Sequence, residues 1–196
     1  MKIQGDRRVQ KTRKALHDAL ISLLLENNYD SITVQQVLDR ANVGRSTFYT
    51  HFQDKDELLT TRIHDLGSTL FSAQQRGKVS SRRHESIIAF SRAMFEHAHA
   101  FRNVYHALLN TQAWPLVRQQ IQDILTELIQ RECRSEIQKL KEASSDVPVD
   151  LFVYFLAATF MSVMTWWLDR RSRLSPEKID QVFRSLVMPT VNAVLG

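Results

Sequence analysis

The residues of this sequence whose types and spacing favour a definite chemistry lie between positions 45 and 51. The hydrogen-bonding side chains of this stretch are Arg45, Ser46, Thr47, Tyr49, Thr50 and His51. Phe48 and Phe52 are four residues apart, so a helix over residues 45–52 would bury both rings and present the polar side chains on its outer face. Such a face suits base reading in the major groove of DNA, where an arginine can bond both acceptors of a guanine edge.

A second helix and a short turn come directly before this stretch and would fix its angle. Thr33 is a good N-cap for a helix that ends near Ala41. Asn42 and Gly44 can take turn conformations that branched residues resist. The apolar residues that would hold the two helices together are Val37, Leu38, Val43, Phe48 and Phe52. The pattern predicts a helix-turn-helix over residues 33–52 that binds double-stranded DNA.

The rest of the chain predicts helices and no strands. Only 5 Gly and 4 Pro occur in 196 residues, and such sparse breakers favour long helices. Apolar periodicity predicts helices over residues 8–26, 54–70, 84–99, 101–110, 115–142, 150–170 and 176–194. Asn27 and Asn28 would end the first of these, since asparagine tolerates the left-handed conformation, and Asp54 would cap the helix that follows residue 52.

We therefore expect an all-α protein of about nine helices. Residues 1–60 would form an N-terminal three-helix helix-turn-helix domain. Residues 61–196 would form a helical ligand-binding and dimerisation domain, and the helix that begins at Asp54 would join the two.

The stretch over residues 41–59, ANVGRSTFYTHFQDKDELL, resembles the DNA-binding signature of the TetR family of repressors, and TVQQV over residues 33–37 also matches it. The specific similarity covers residues 8–60. Three positions depart from the usual signature: Asn42 and Ser46 stand where the family often has glycine, and Gly44 where it often has serine. Ser46 puts a side chain where bare backbone usually approaches DNA, so the base preference is expected to differ.

The resemblance implies a role for each matching polar residue. Arg45 would read a guanine edge, and His51 and Lys55 would hold phosphates, Lys55 near the N-terminus of its helix. The residues that would face bases, methyl groups or phosphates are Ser46, Thr47, Tyr49 and Thr50. Thr33 and Gln35 would touch the DNA backbone from the bracing helix, and Arg7 and Arg8 would reach phosphate or the minor groove.

An uncharged run at Leu151–Leu168 admits two interpretations. Its 18 residues reach the lower limit of a membrane span. The run also contains Thr159, Ser162 and Thr165, and a helix that is apolar all round can be buried between protein layers. We favour a homodimer in which this helix and the last one, Ile179–Val194, pack against a second copy, as the TetR resemblance also implies, and we expect no membrane association.

The middle of the chain, residues 58–170, would form a chamber for a small apolar or aromatic effector. The aromatic candidates to line it are Phe71, Phe95, Phe101, Tyr105, Trp114, Tyr154, Phe155 and Trp166. The alternative for each is core packing, which is the usual role of aromatic residues at helical spacing. Arg102, His106 and Glu127 are weaker candidates to fix a polar group of the ligand.

Other kinds of chemistry lack a motif in the sequence. His97 and His99 are two residues apart and would lie on different helix faces, so no metal site is expected. The lone Cys133 cannot form an internal disulfide, which fits a reducing compartment. No glycine-rich phosphate loop and no catalytic arrangement of Ser, Cys or carboxylates is present, so we expect neither a cofactor nor an enzyme. The N-terminus lacks the apolar run of a signal peptide, and we expect a cytoplasmic protein.

Together these patterns predict a sequence-specific transcriptional regulator, a repressor that a small-molecule ligand releases from its operator. The net charge of +5 suits a polyanionic partner. Gly67, in the helix from Asp54, would be the soft point of the conformational change. The alternative is a DNA-bound interaction protein that is controlled by a protein partner rather than by a small ligand.

Overall fold

The computed structural model describes residues 2–63, 84–142, 147–170 and 172–195. Within these ranges the chain is helical and has no strand, which confirms the predicted all-α class. The α-helices are α1 (Lys2–Glu26), α2 (Val34–Ala41), α3 (Arg45–Tyr49), α4 (residues 55–63), α5 (Phe90–Ala100), α6 (Arg102–Leu108), α7 (Trp114–Glu142), α8 (Val149–Asp169) and α9 (Pro176–Leu195), with short 3-10 helices at Tyr29–Ser31 and Glu85–Ile88. Pro176 opens α9, where its missing N–H costs nothing.

The chain divides into two compact units. The first comprises Met1–Asp65 and Asn103–Val117, and the second Leu66–Arg102 and Arg118–Gly196. Residues 103–117 thus pack with the N-terminal helices in the first unit. In that unit the backbone N–H of Gln112 donates to the carboxylate of Asp30, with N to Oδ1 and Oδ2 distances of 3.2 and 3.4 Å.

The first unit is built on the apolar face of α1. The buried residues of that face are Leu16, Ala19, Leu20, Leu23 and Leu24. Arg40 at the end of α2 reaches back to the end of α1, where its Nη1 and Nη2 donate to the two carboxylate oxygens of Glu26 at 2.8 and 2.7 Å. The hydrogen bonds from Arg40 hold the pKa of Glu26 below its usual range. This bidentate pair fixes α2 against α1 beside the predicted reading helix.

The end of α1 differs from the sequence prediction in its mechanism. Asn28 has φ −65° and not a left-handed conformation. Its side chain instead accepts a hydrogen bond from the backbone N–H of Asp30 at 2.8 Å and so caps the 3-10 helix Tyr29–Ser31. The prediction was wrong because asparagine satisfies a free backbone N–H equally well from an extended conformation.

The second unit has a core of aromatic rings. Phe95 on α5 contacts Phe160 on α8 with ring centroids 4.8 Å apart, and Trp167 with centroids 5.7 Å apart. Phe183 on α9 meets Phe160 at 5.2 Å in an edge-to-face arrangement. These rings are almost completely buried and join α5, α8 and α9.

A buried polar cluster also joins α5 to α9. The hydroxyl of Ser91 donates to Asp180, and Arg184 Nε donates to the other carboxylate oxygen of Asp180 at 2.8 Å. Arg184 Nη2 lies 3.3 Å from Ser91 Oγ, so the three side chains satisfy one another. Sequence periodicity did not reveal this cluster, because Asp180 and Arg184 are spaced like an ordinary exposed helical pair.

The helix α8 has one buried face and one exposed face. Among the described residues it alone is long and apolar enough to cross a membrane. Of its most apolar stretch of 18 residues, 50% is buried inside the protein. Its exposed residues include Tyr154, which is 57% exposed, and Trp166, which is 51% exposed. On α9, the large apolar side chain of Leu186 is 59% exposed.

Candidate nucleic-acid interface

The start of α2 is fixed by a reciprocal cap. The side chain of Thr33 accepts a hydrogen bond from the backbone N–H of Gln36 at 3.3 Å, and Gln36 Oε1 accepts one from the backbone N–H of Thr33 at 2.8 Å. This capping box confirms the predicted N-cap and satisfies two N–H groups that the helix leaves free. It leaves Thr33 and Gln35 exposed on the first turn, where Gln35 Nε2 donates to Asp39 at 2.8 Å.

The turn between α2 and α3 depends on Asn42. Asn42 has φ 53° and ψ 48°, the left-handed conformation predicted for it, and the backbone N–H of Val43 donates to Leu38 O at 3.1 Å. The prediction for Gly44 was wrong, since it has φ −68° and ψ 148°, which any residue adopts. A Cβ added there would meet only Thr47 Oγ1, at 4.0 Å. One left-handed residue is sufficient to reverse the chain between the two helices.

Apolar contacts hold α3 against the rest of its unit. Phe48 is completely buried, and its ring lies 5.7 Å from the ring of Phe52. On α1, His17 meets Phe52 edge-to-face at 5.7 Å, and the guanidinium carbon of Arg13 lies 5.5 Å from the centre of the same ring. Val37, Leu38, Phe48 and Phe52 are buried as predicted, and Val43 is half-buried. These contacts set the orientation of α3.

The helix α3 ends earlier than predicted. It spans Arg45–Tyr49 with Thr50 as its C-cap, whereas the sequence suggested residues 45–52. The backbone N–H of Phe52 still donates to Phe48 O at 2.9 Å, so the chain keeps a helical turn to the second anchoring ring. The short helix is therefore held at both ends of its buried face.

The outer face of α3 carries the predicted polar side chains. Those that are exposed are Arg45, Ser46, Thr47, Tyr49 and Thr50. The hydroxyl of Thr50 donates to Ser46 O at 2.9 Å and keeps its lone pairs available. The guanidinium carbon of Arg45 lies 5.7 Å from the centre of the Tyr49 ring. The face thus combines a cation, an aromatic ring and hydroxyl groups, which are chemical groups that read base edges and phosphates.

Lys55, a predicted phosphate ligand, has partners within the protein. Its Nζ donates to Tyr29 O and Ile32 O, both at 2.8 Å, and lies 4.4 Å from the centre of the Tyr29 ring. An ammonium group has three donors, so one remains for a ligand. Lys55 closes the carbonyl end of the 3-10 helix, and this contact was not foreseen from the sequence. His51 is half-buried, with its ring 6.3 Å from that of Phe52.

The first turn of α4 is tied to the same 3-10 helix. The buried hydroxyl of Tyr29 donates to Asp56, and burial together with this carboxylate raises the pKa of Tyr29 far above its usual range. Asp54 Oδ1 accepts a hydrogen bond from the backbone N–H of Glu57 at 2.8 Å, which confirms the predicted cap. Sequence reasoning missed Tyr29, whose only signal was its apolar character directly after a helix end.

The two N-terminal arginines lie within a helix. Arg7 and Arg8 are exposed on α1, which begins at Lys2 rather than near residue 8 as predicted. Arg13, one to two turns further along, contacts Phe52 at the end of the reading stretch. Arg7 and Arg8 therefore lie on the same regular helix as Arg13, one to two turns closer to its N-terminus than the contact with Phe52.

The aromatic candidates for a ligand chamber lie in different environments. Phe95 is part of the aromatic core of the second unit. Tyr105 is buried, which raises the pKa of its hydroxyl, and Trp114 is half-buried. Those on the protein surface are Phe101, Tyr154, Phe155 and Trp166. Phe71 and Gly67 lie outside the described residues. A chamber lined by these side chains stays a prediction, because helical spacing shows which residues share a face but not what that face packs against.

Comparisons with known proteins agree with this architecture. Residues 16–60 match the family described as bacterial regulatory proteins, tetR family, and residues 85–189 match the family described as transcriptional regulator C-terminal region. The chain belongs to the TetR family of transcriptional regulators.

Individual relatives are also transcriptional regulators. A 61-residue stretch is 44% identical to the uncharacterized HTH-type regulator YxbF of Bacillus subtilis (strain 168), and it spans 31% of this chain and 16% of that protein. A TetR transcriptional regulator from Streptococcus agalactiae 2603V has a similar structure, with 29% identity, a TM-score of 0.66 and coverage of 95% of this chain and 99% of that one. The regulator RolR, solved in complex with resorcinol, has 17% identity, a TM-score of 0.65 and coverage of 94% and 89%.

Proposed function

We propose that the protein is a homodimeric, sequence-specific repressor that binds operator DNA through α2 and α3 and is released by a small apolar or aromatic ligand. The observation that carries this proposal is the two-sided character of α3. Phe48 is completely buried on one side, whereas Arg45, Tyr49 and Thr50 are exposed on the other. A helix that is anchored by a buried ring on one side and exposes polar side chains on the other is suited to the major groove.

The size of α3 argues that two copies act together. A helix of five residues is about 7.5 Å long at 1.5 Å per residue and reaches only a few base pairs. Related helix-turn-helix dimers read two half-sites whose centres are roughly 34–36 Å apart. We expect a palindromic operator with that spacing, and occupancy of such a site would block transcription.

The exposed face of α8 supports dimerisation through the last two helices. Leu151, Tyr154 and Phe155 are exposed at spacings of three and four residues, and Trp166 continues the same side of the helix. Soluble monomers rarely expose large apolar patches, so four bulky apolar side chains along one side of a helix favour burial by a partner. Together with Leu186 on α9, these residues form the dimer face that we propose.

The same helix bears on where the protein resides. A membrane span would have to place lipid around α8, yet Phe160, Met164 and Trp167 on its other side are buried in the protein core. A second protein copy satisfies the exposed side without removing that core. We therefore propose a cytoplasmic dimer with no membrane association.

Control by a small ligand is the second part of the proposed function. The similar fold of RolR accommodates resorcinol, a small aromatic molecule. The aromatic candidates for contact with such a molecule that the proposed dimer face does not use are Phe71, Phe95, Phe101, Tyr105 and Trp114. Release would follow if the ligand binds a conformation in which the two reading helices no longer match the half-site spacing.

The experiment that tests the function uses the full-length protein and a library of random-sequence duplexes. We expect enrichment of a palindrome, binding of that palindrome by a dimer, and lower expression of a reporter placed behind it. A thermal-shift screen of small aromatic compounds then identifies effectors, since a ligand raises the melting temperature by mass action. Activation of the reporter would reverse the proposed sign of regulation, and failure to enrich any sequence would overturn the function itself.

A further inference from the structure

Two residues on the outer face of α3 are in contact with each other. Arg45 is the first residue of the helix and Tyr49 the last, so they are one turn apart. The guanidinium carbon of Arg45 lies over the Tyr49 ring, 5.7 Å from its centre. This distance is within the range in which the negative face of an aromatic ring attracts a cation.

The Tyr49 ring is itself held by the core. It meets Phe48 edge-to-face, with centroids 5.3 Å apart and planes at 86°. Phe48 is completely buried and contacts Phe52 at 5.7 Å. Tyr49 remains 49% exposed. The three rings therefore connect the anchored interior of the unit to the surface on which Arg45 lies.

This arrangement leaves the hydrogen-bonding groups of Arg45 available. Within the part of the chain that the structure describes, no carboxylate pairs with Arg45, and its guanidinium contacts the Tyr49 ring. A guanidinium has five N–H donors, which is more than one ring contact can occupy. A ring contact thus restricts the side chain without using the donors that a guanine edge requires.

We propose that Tyr49 is a positioning residue whose ring, rather than its hydroxyl, holds Arg45 ready to read guanine. An exposed arginine otherwise samples many rotamers and loses that freedom when it binds. Ordering the Arg45 side chain before it binds reduces this loss of rotamer freedom. It also favours guanine, which accepts two hydrogen bonds from one planar guanidinium. The inference rests on the proposed function, in which α3 reads DNA.

The test is a double-mutant cycle on the full-length protein with the duplex that wild type selects from a random-sequence library. The base read by Arg45 is defined as the one whose substitution no longer matters in Arg45→Ala. We expect Tyr49→Phe to bind like wild type, because the ring is retained. Tyr49→Leu should bind about two- to fivefold more weakly and lose preference at that base. In the Arg45→Ala background, Tyr49→Leu should have no further effect.

Other outcomes separate this inference from the function on which it rests. Equal losses from Tyr49→Leu in the wild-type and Arg45→Ala backgrounds would show that Tyr49 contacts DNA directly, and would overturn it. Equal losses from Tyr49→Phe and Tyr49→Leu would assign the effect to the hydroxyl, with the same consequence. Thermal melting checks folding, and Tyr49→Met serves as a second variant, since Leu and Met both favour helix more than Tyr does. If wild type selects no sequence at all, the proposed function and this inference fall together.

Discussion

The backbone N–H of Gln112 donates to the carboxylate of Asp30, with distances of 3.2 and 3.4 Å to its two oxygens. The first residue lies between α6 and α7 and the second in the 3-10 helix that follows α1, 82 positions earlier. The bond is one of the contacts through which Asn103–Val117 belongs to the same unit as the helix-turn-helix. The connection between α6 and α7 is therefore attached directly to the helix-turn-helix part of the first unit.

Removing this carboxylate should loosen the attachment. We expect Asp30→Ala to increase amide exchange at Gln112 and its neighbours and to lower the free energy of unfolding by about 0.5–1.5 kcal/mol, the usual contribution of one hydrogen bond. Hydrogen exchange followed by mass spectrometry and urea unfolding measure the two effects. Asp18→Ala is the matched control, because its carboxylate pairs with Lys14 within α1 alone. Exchange at Gln112 that is the same in both variants would contradict the expectation.

The pair of Glu26 and Arg40 should make stability depend on pH in the acid range. The pKa of Glu26 is lowered by hydrogen bonds from Arg40, so the folded state binds a proton less readily than the unfolded state. The stabilisation is fully present above the unfolded pKa, about 4.3, and is lost as the pH falls through the lower folded value. Melting curves of wild type and Glu26→Gln should therefore differ at neutral pH and converge in acid. Arg40→Gln should give the same profile, and a constant difference at every pH would contradict this origin.

A charge on the exposed face of α8 should separate the proposed dimer. Tyr154 is 57% exposed in the single chain, and a buried carboxylate opposite a second copy would lack a partner. We expect Tyr154→Glu to run as a folded monomer in size-exclusion chromatography with light scattering, and to bind the operator at least about tenfold more weakly. Leu25→Glu is the control, since Leu25 is 55% exposed on α1. A Tyr154→Glu dimer of unchanged stability would exclude this interface.

Lys55 and Arg7 allow the structural and DNA-binding roles of cations to be distinguished. Lys55 bonds two backbone carbonyls, so Lys55→Ala should lower the free energy of unfolding by about 1.5–3 kcal/mol, and should also reduce the salt slope of DNA binding by about one. Arg7→Ala should reduce the salt slope alone, because Arg7 is exposed on α1. Chemical unfolding and binding titrations over a range of salt concentration measure both. An unchanged slope in Lys55→Ala would show that its ammonium serves only the protein.

The sequence was sufficient to predict the helix-turn-helix because several local signals in that stretch agree. Thr33 as a cap, Asn42 in the turn and Phe48 beneath α3 each follow from local chemistry, and the structure confirms all three. Family membership and the all-helical class followed from the same stretch and from the apolar periodicity.

Tertiary partners could not be predicted in the same way. Periodicity shows that Phe95 and Tyr154 lie on apolar helix faces, but not that the first packs in a core while the second is exposed. The attachment of Gln112 to Asp30, and of Lys55 to the carbonyls of Tyr29 and Ile32, joins segments that are distant in sequence and carry no local signature. These contacts depend on how the helices pack together, which a single sequence does not specify locally.

The most direct test of the account is the binding of full-length wild type and Arg45→Ala to the duplex that wild type selects, compared with a scrambled duplex. We expect wild type to prefer the selected duplex by roughly a thousandfold or more, as specific DNA-binding proteins do. Arg45→Ala should lose about 1–3 kcal/mol of that preference, confined to substitutions of one guanine in each half-site. Equal preference in the two proteins, or no preference in wild type, would contradict the claim that α3 reads DNA through Arg45.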